Sequence, residues 1–279
     1  MSIKLYKPEF DTNEFRKPMR HFEITSESGE KIIYAYIRKN ACTAFRKFIN
    51  RKTHPKYVMS KLMLINHFPR DHIRGNMRYF ARRMSDSQPY NEKRIFVYRD
   101  PIDRVISFYV NKLVEKKTAI DSINNYNKLM GKDAGDCKIA NLVEYIASDL
   151  ALLDVHLIPQ KSHLYRCSYQ AIRIDELTSI MVDILGKELG LRYFSRKENS
   201  SQGVNVRDAG HTEVEEIGQY SDFTANELQK IVESGSVLRK EYLVTTELID
   251  AVRQVYSKDY QMIEEIERQP PSAESTVCE

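Results

Sequence analysis

The sequence predicts an α/β fold, a central parallel sheet flanked by helices with a helical C-terminal part. Three observations carry that reading. Residues 32–37 and 95–98 are near-continuous apolar runs, the pattern of strands buried on both faces. Each run stops at a basic residue, Arg38 and Arg99, and a helix start follows. Strand patterns also alternate with helical ones along the chain, the βα rhythm of a parallel sheet.

Taken in order, residues 21–25 and 31–37 read as a strand pair around the turn Glu27-Ser28-Gly29. A helix is predicted from Thr43 to about Asn50, and a short strand over 62–66. Residues 71–84 read as a basic amphipathic helix, with Arg74, Arg78 and Arg82 on one face. The run ending at Tyr98 leads into Arg99-Asp100-Pro101, where Asp100 suits the N-cap and Pro101 the first helical position. That helix is predicted to reach about Lys117. Further helices are predicted over 140–153 and from Glu176 to about Leu189, with a short strand over 171–174 between them. Residues 195–222 read as a polar loop. Thr224 to Glu227 is a capping box, opening helices that run to about Ile266. Residues 268–279 read as a disordered tail.

Composition narrows the class. The chain has 279 residues, 42% hydrophobic and 29% charged, which describes a globular protein. No stretch approaches the roughly 20 apolar residues that span a bilayer, and residues 1–20 hold no apolar h-region. Cys42, Cys137, Cys167 and Cys278 are scattered with no Cys-x-x-Cys pair, so free thiols in a reducing cytoplasm are expected and a metal site is not. The net charge of +4 hides an uneven distribution. Residues 31–100 hold 17 basic and 4 acidic side chains, and no Asp or Glu occurs from 31 to 70. An anionic ligand responds to that local field, not to the total.

Two constellations lie in this basic stretch. The first is the strand end Arg38-Lys39-Asn40-Ala41-Cys42-Thr43. Helix N-terminal N–H groups favour an anion there, Lys39 adds a full charge, Thr43 adds a hydroxyl, and Ala41 and Cys42 are small enough for close approach. The Gly-x-x-x-x-Gly-Lys loop of nucleoside triphosphate enzymes is absent. The second is Arg99-Asp100-Pro101-x-x-Arg104-x-x-Ser107-x-Tyr109. Arg99 can grip a phosphate with paired hydrogen bonds, and Ser107 lies about two helical turns further on.

With Asp154-Val155-His156-Leu157-Ile158-Pro159-Gln160 and the C-terminal Val255-Tyr256-Ser257-Lys258-Asp259-Tyr260, these elements resemble the carbohydrate sulfotransferases of the Golgi type, sulfotransferase family 2. The resemblance implies a P-loop-like sulfotransferase fold forming one domain over residues 1–267. It also implies the donor 3′-phosphoadenosine-5′-phosphosulfate (PAPS), with no metal. Lys39, Asn40, Ala41, Cys42, Thr43 and Ala44 would bind the 5′-phosphosulfate, and Arg99 and Ser107 the 3′-phosphate. The acceptor would be a carbohydrate or another hydroxyl-bearing molecule. Catalysis would fall to Lys39 and a base. His67, between the two loops, is the first candidate because imidazole titrates near neutral pH, and His156 is the second. Two other readings compete: a kinase-like phosphotransferase, and a nucleic-acid binder using the basic stretch. The missing glycine loop opposes the former. The latter leaves the ordered signatures unexplained, so no nucleic-acid partner is expected.

Overall fold

The computed structural model describes residues 4–8, 21–25, 31–53, 93–117, 119–148, 153–165, 167–195, 219–236 and 238–269. Its contacts fall into two compact units. One comprises Met1–Arg99, Pro159–Glu198 and Gln261–Glu279, the other Asp100–Ile158 and Asn199–Tyr260.

The first unit is built on a five-stranded sheet. Its strands are β1 (Lys4–Tyr6), β2 (His21–Thr25), β3 (Lys31–Ala35), β4 (Lys93–Tyr98) and β5 (Tyr169–Arg173), in the order β1-β5-β4-β3-β2. The central three are parallel and both edges are antiparallel. The two apolar runs that suggested buried strands lie side by side, with Ala35 opposite Phe96. Ile32, Tyr34, Ala35, Ile95, Phe96 and Val97 are fully buried because each face of the sheet carries its own core. One face packs on Phe45 and Phe48 of α1 (Cys42–Thr53) and on Met181 and Leu185. The other packs Tyr6, Phe96 and Tyr98 against Met262 and Ile266.

Helix α2 (Pro101–Phe108) opens the second unit. The Asp100 carboxylate accepts from the Ile102 and Asp103 amides at 2.8 and 3.2 Å, the cap its sequence foretold. The predicted continuation to Lys117 is not α-helical. Tyr109–Val114 is a π-helical segment in which the Glu115 amide reaches back to the Val110 carbonyl at 2.8 Å. Helices α3 (Ile120–Met130), which the sequence reading did not mark, and α4 (Ile139–Ile146) follow. Helix α4 stops well short of residue 153, where the Ser148 hydroxyl takes up the Tyr145 carbonyl at 2.7 Å.

The helix expected from Glu176 to Leu189 is two helices, α5 (Leu177–Leu185) and α6 (Lys187–Phe194). Gly186 divides them with a φ of 80°, a conformation few side chains tolerate. Helix α7 (Ala225–Glu233) opens with the reciprocal Thr224–Glu227 box, followed by α8 (Thr246–Val255) and α9 (Ser257–Glu267). The expectations over 62–66, 71–84 and 270–279, and most of the polar loop, lie outside the described residues. Among the described residues, no helix is long and apolar enough to cross a membrane.

Candidate active site

The end of β3 turns through Arg38-Lys39-Asn40-Ala41 into α1. Lys39 and Ala41 both have positive φ, 69° and 56°. Non-glycine residues occupy that region at a cost of order 1 kcal/mol each, and such strain concentrates at functional sites. Left-handed residues within a turn are also the backbone form from which anion-binding nests are made. Packing enforces the turn. Tyr34 stacks on Phe45 of α1 with ring centroids 3.6 Å apart, and its hydroxyl donates to the Asn40 carbonyl at 3.3 Å. The Ala41 carbonyl starts the helix by accepting from the Ala44 and Phe45 amides.

The turn is electropositive, and Cys42 reports it. Burial alone would raise its thiol pKa. The nearby Arg46 and Arg38 guanidinium groups and a hydrogen bond from the Lys39 backbone outweigh burial and hold it below the ordinary thiol value. Lys39, Cys42 and Thr43 are partly exposed, whereas Ala44 is buried.

Asn40 is not at the surface. Its side chain is completely buried and donates to the Val97 carbonyl at 2.8 Å and to Gln160 Oε1 at 2.5 Å. Gln160, equally buried, pairs with the backbone of Arg99 in both directions. Its Oε1 accepts from the Arg99 amide at 3.0 Å, and its Nε2 donates to the Arg99 carbonyl at 2.8 Å. The turn after β3 and the residue following β4 are therefore tied together by two buried amides.

The second unit carries the rest of the signatures. Ser107 is partly exposed on α2. Arg104 is buried, and its guanidinium donates to the Ile158 carbonyl at 2.6 Å. The Tyr256 hydroxyl donates to the neighbouring Leu157 carbonyl, and Tyr109 to the Cys137 carbonyl, each at 2.8 Å. These signature residues hold backbone in place. His156 has a catalytic style of support. Its Nδ1 is hydrogen-bonded to Asp154 Oδ1, which also accepts from the His156 amide at 2.8 Å. Burial would raise the Asp154 pKa, but the hydrogen bonds and charge of His156 hold it well below the usual carboxylate range.

Comparison with known proteins decides the class. The model of the sulfotransferase family matches residues 21–263, nearly the whole described chain. The chain belongs to sulfotransferase family 2. No curated protein and no solved structure gives a match. This sulfotransferase places its two basic strand ends at the same end of neighbouring parallel strands, the end at which open α/β sheets bind ligands. His67 lies outside the described residues. Sequence reasoning missed the Asp154 partner of His156 and the burial of Asn40. The Asp-x-His spacing was a signal for the first. For the second, no local pattern distinguishes a buried amide from an exposed one.

Proposed function

We propose that this sulfotransferase takes PAPS as donor and transfers its sulfuryl group to a hydroxyl of a carbohydrate. The acceptor oxygen attacks sulfur in line, and the bond from sulfur to the 5′-phosphate oxygen breaks. The hydroxyl proton passes to a base, and adenosine 3′,5′-bisphosphate leaves. The observation that carries the reading is the strained, electropositive Lys39–Cys42 turn beside Arg99 on adjacent parallel strands. In this account Lys39 and the amides of the turn meet charge growing on the bridging and non-bridging oxygens. Ala41, Cys42, Thr43 and Ala44 contribute backbone or small side chains near the 5′ end. Arg99 takes the 3′-phosphate, and fixing both ends of the donor aligns its sulfur for attack.

His67 and His156 are the two candidates for the base. What supports His156 is Asp154 on Nδ1, which orients the ring and stabilises the imidazolium formed when the ring takes up the acceptor proton. What supports His67 is its place between the two loops in the sequence. What supports a carbohydrate acceptor is the likeness of the ordered set of sequence elements to carbohydrate sulfotransferases.

The donor is tested by thermal unfolding with adenosine 3′,5′-bisphosphate. At 100 times Kd the nucleotide stabilises the protein by about 2.7 kcal/mol. No shift at saturating nucleotide contradicts the reading, and a larger shift with ATP–Mg²⁺ moves it to phosphotransfer. The base is tested by His67→Ala and His156→Ala: the variant that loses kcat and keeps nucleotide affinity identifies it.

A further inference from the structure

Asn40 and Gln160 form a buried polar bridge whose orientation is fixed. The Arg99 amide can only donate and its carbonyl can only accept, so Gln160 must present Oε1 to the first and Nε2 to the second. Oε1 is then the acceptor for Asn40 Nδ2, whose second proton goes to the Val97 carbonyl. Flipping either amide sets donor against donor or acceptor against acceptor. The bridge thus has one arrangement, and it extends β3–β4 pairing past the point where the ladder ends at Ala35 and Phe96. Burial makes it sensitive, because each group left without a partner there loses water as well.

We propose that Gln160 is a positioning residue for the donor: through Asn40 and the Arg99 backbone it sets the spacing between the 5′ and 3′ anion sites. The inference rests on the nucleotide-donor reading above. The Pro159-Gln160 end of the Asp154–Gln160 segment therefore serves the donor. A fixed spacing matters because the two phosphate ends of one nucleotide must be held at once, and each ångström of slack between loops weakens both contacts.

The chain contains its own control. Gln269 makes the same two-way pairing with the Leu5 backbone, accepting at 3.0 Å and donating at 2.5 Å, but on a partly exposed edge strand. Glutamate at either place keeps the acceptor and loses the donor while ionised, and regains an O–H donor when protonated. Burial raises the pKa of a carboxyl at 160, so that recovery falls within a workable pH range.

The test measures the Kd of adenosine 3′,5′-bisphosphate by calorimetry from pH 6 to 8.5, on samples shown to be folded by circular dichroism. Gln160→Glu is expected to bind about tenfold or more weakly than wild type at pH 8.5, the loss of roughly one buried hydrogen bond. The gap is expected to narrow towards pH 6. Gln160→Asn, too short to reach both partners, is expected to bind more weakly by a ratio that does not change with pH. It carries the test if the charged variant does not fold at high pH. Gln269→Glu is expected to match wild type throughout. Wild-type affinity in both Gln160 variants overturns this inference alone. A wild-type protein that does not bind the nucleotide overturns the donor reading and this inference together.

Discussion

The turn after β3 is held in an uncomfortable backbone, with Lys39 and Ala41 at positive φ and an aromatic stack pressing α1 onto the strand. The turn after β4 is relaxed: Asp100 caps α2 and Pro101 fits its first position. The strained turn has no glycine to ease its left-handed residues. The relaxed turn has Asp and Pro at the positions a helix start favours. The difference teaches that the first loop is specified by packing around it, and the second by its own residue types. A backbone nest needs a conformation, which many sequences reach if Tyr34, Phe45 and Asn40 enforce it. A guanidinium contact needs arginine itself.

The comparison can be broken at either turn. The largest effect is expected from Lys39→Ala, which removes the full charge of the first turn. It should lower kcat by about 10²–10³-fold, as for loss of a donor to developing charge, with an unchanged melting temperature. A kcat within a few-fold of wild type would show that the backbone alone suffices.

Next is Arg104→Ala behind the second turn. It leaves the Ile158 carbonyl without its buried guanidinium donor, so urea unfolding should show a loss of about 1–3 kcal/mol. A stable variant that had lost donor affinity would instead make Arg104 a ligand residue.

A pH-dependent effect tests the sheet under the first turn. His21, at the start of β2, is buried between Tyr165 and Tyr169. Burial, with the Arg94 charge second, lowers its pKa to about 3. The folded protein keeps this histidine neutral while the unfolded chain takes up a proton below about pH 6.5. Stability from this group is therefore complete above that value and is lost as pH falls towards 3, by about 1.4 kcal/mol per pH unit. His21→Gln should flatten that slope between pH 6 and 4, and an unchanged slope would assign the acid sensitivity elsewhere. The smallest effect is Ala41→Gly, which should raise stability by up to about 1 kcal/mol by relieving the left-handed alanine. Destabilisation would mean the turn is unstrained.

Much of the fold was legible because burial on both faces writes itself as apolar runs. Ile32 to Ile37 and Ile95 to Tyr98 became adjacent parallel strands, and the caps at Asp100 and Thr224 appeared where their side chains suggested. What failed to show was set by geometry beyond local pattern. Gly186 read as an ordinary helical residue until its φ of 80° split the helix, and the π-helical register at Tyr109 leaves no mark in residue type. In the candidate site, the sequence marked the two strand ends but not what each polar side chain holds. Arg104, Tyr109 and Tyr256 stand in the signatures as polar residues, yet each holds a backbone carbonyl. Gln160 joins two turns from a distant part of the chain, a relation only the folded sheet creates.

The central claim is that two strand ends divide one nucleotide between them, with Arg99 assigned to the 3′-phosphate. The most direct measurement compares the affinities of adenosine 3′,5′-bisphosphate and adenosine 5′-phosphate for wild type, Lys39→Ala and Arg99→Ala. The account predicts that wild type prefers the bisphosphate by about tenfold or more, as a charge-assisted contact implies. Lys39→Ala should keep that preference while weakening both ligands, and Arg99→Ala should abolish it. An Arg99→Ala variant that still discriminates as wild type does would contradict the account.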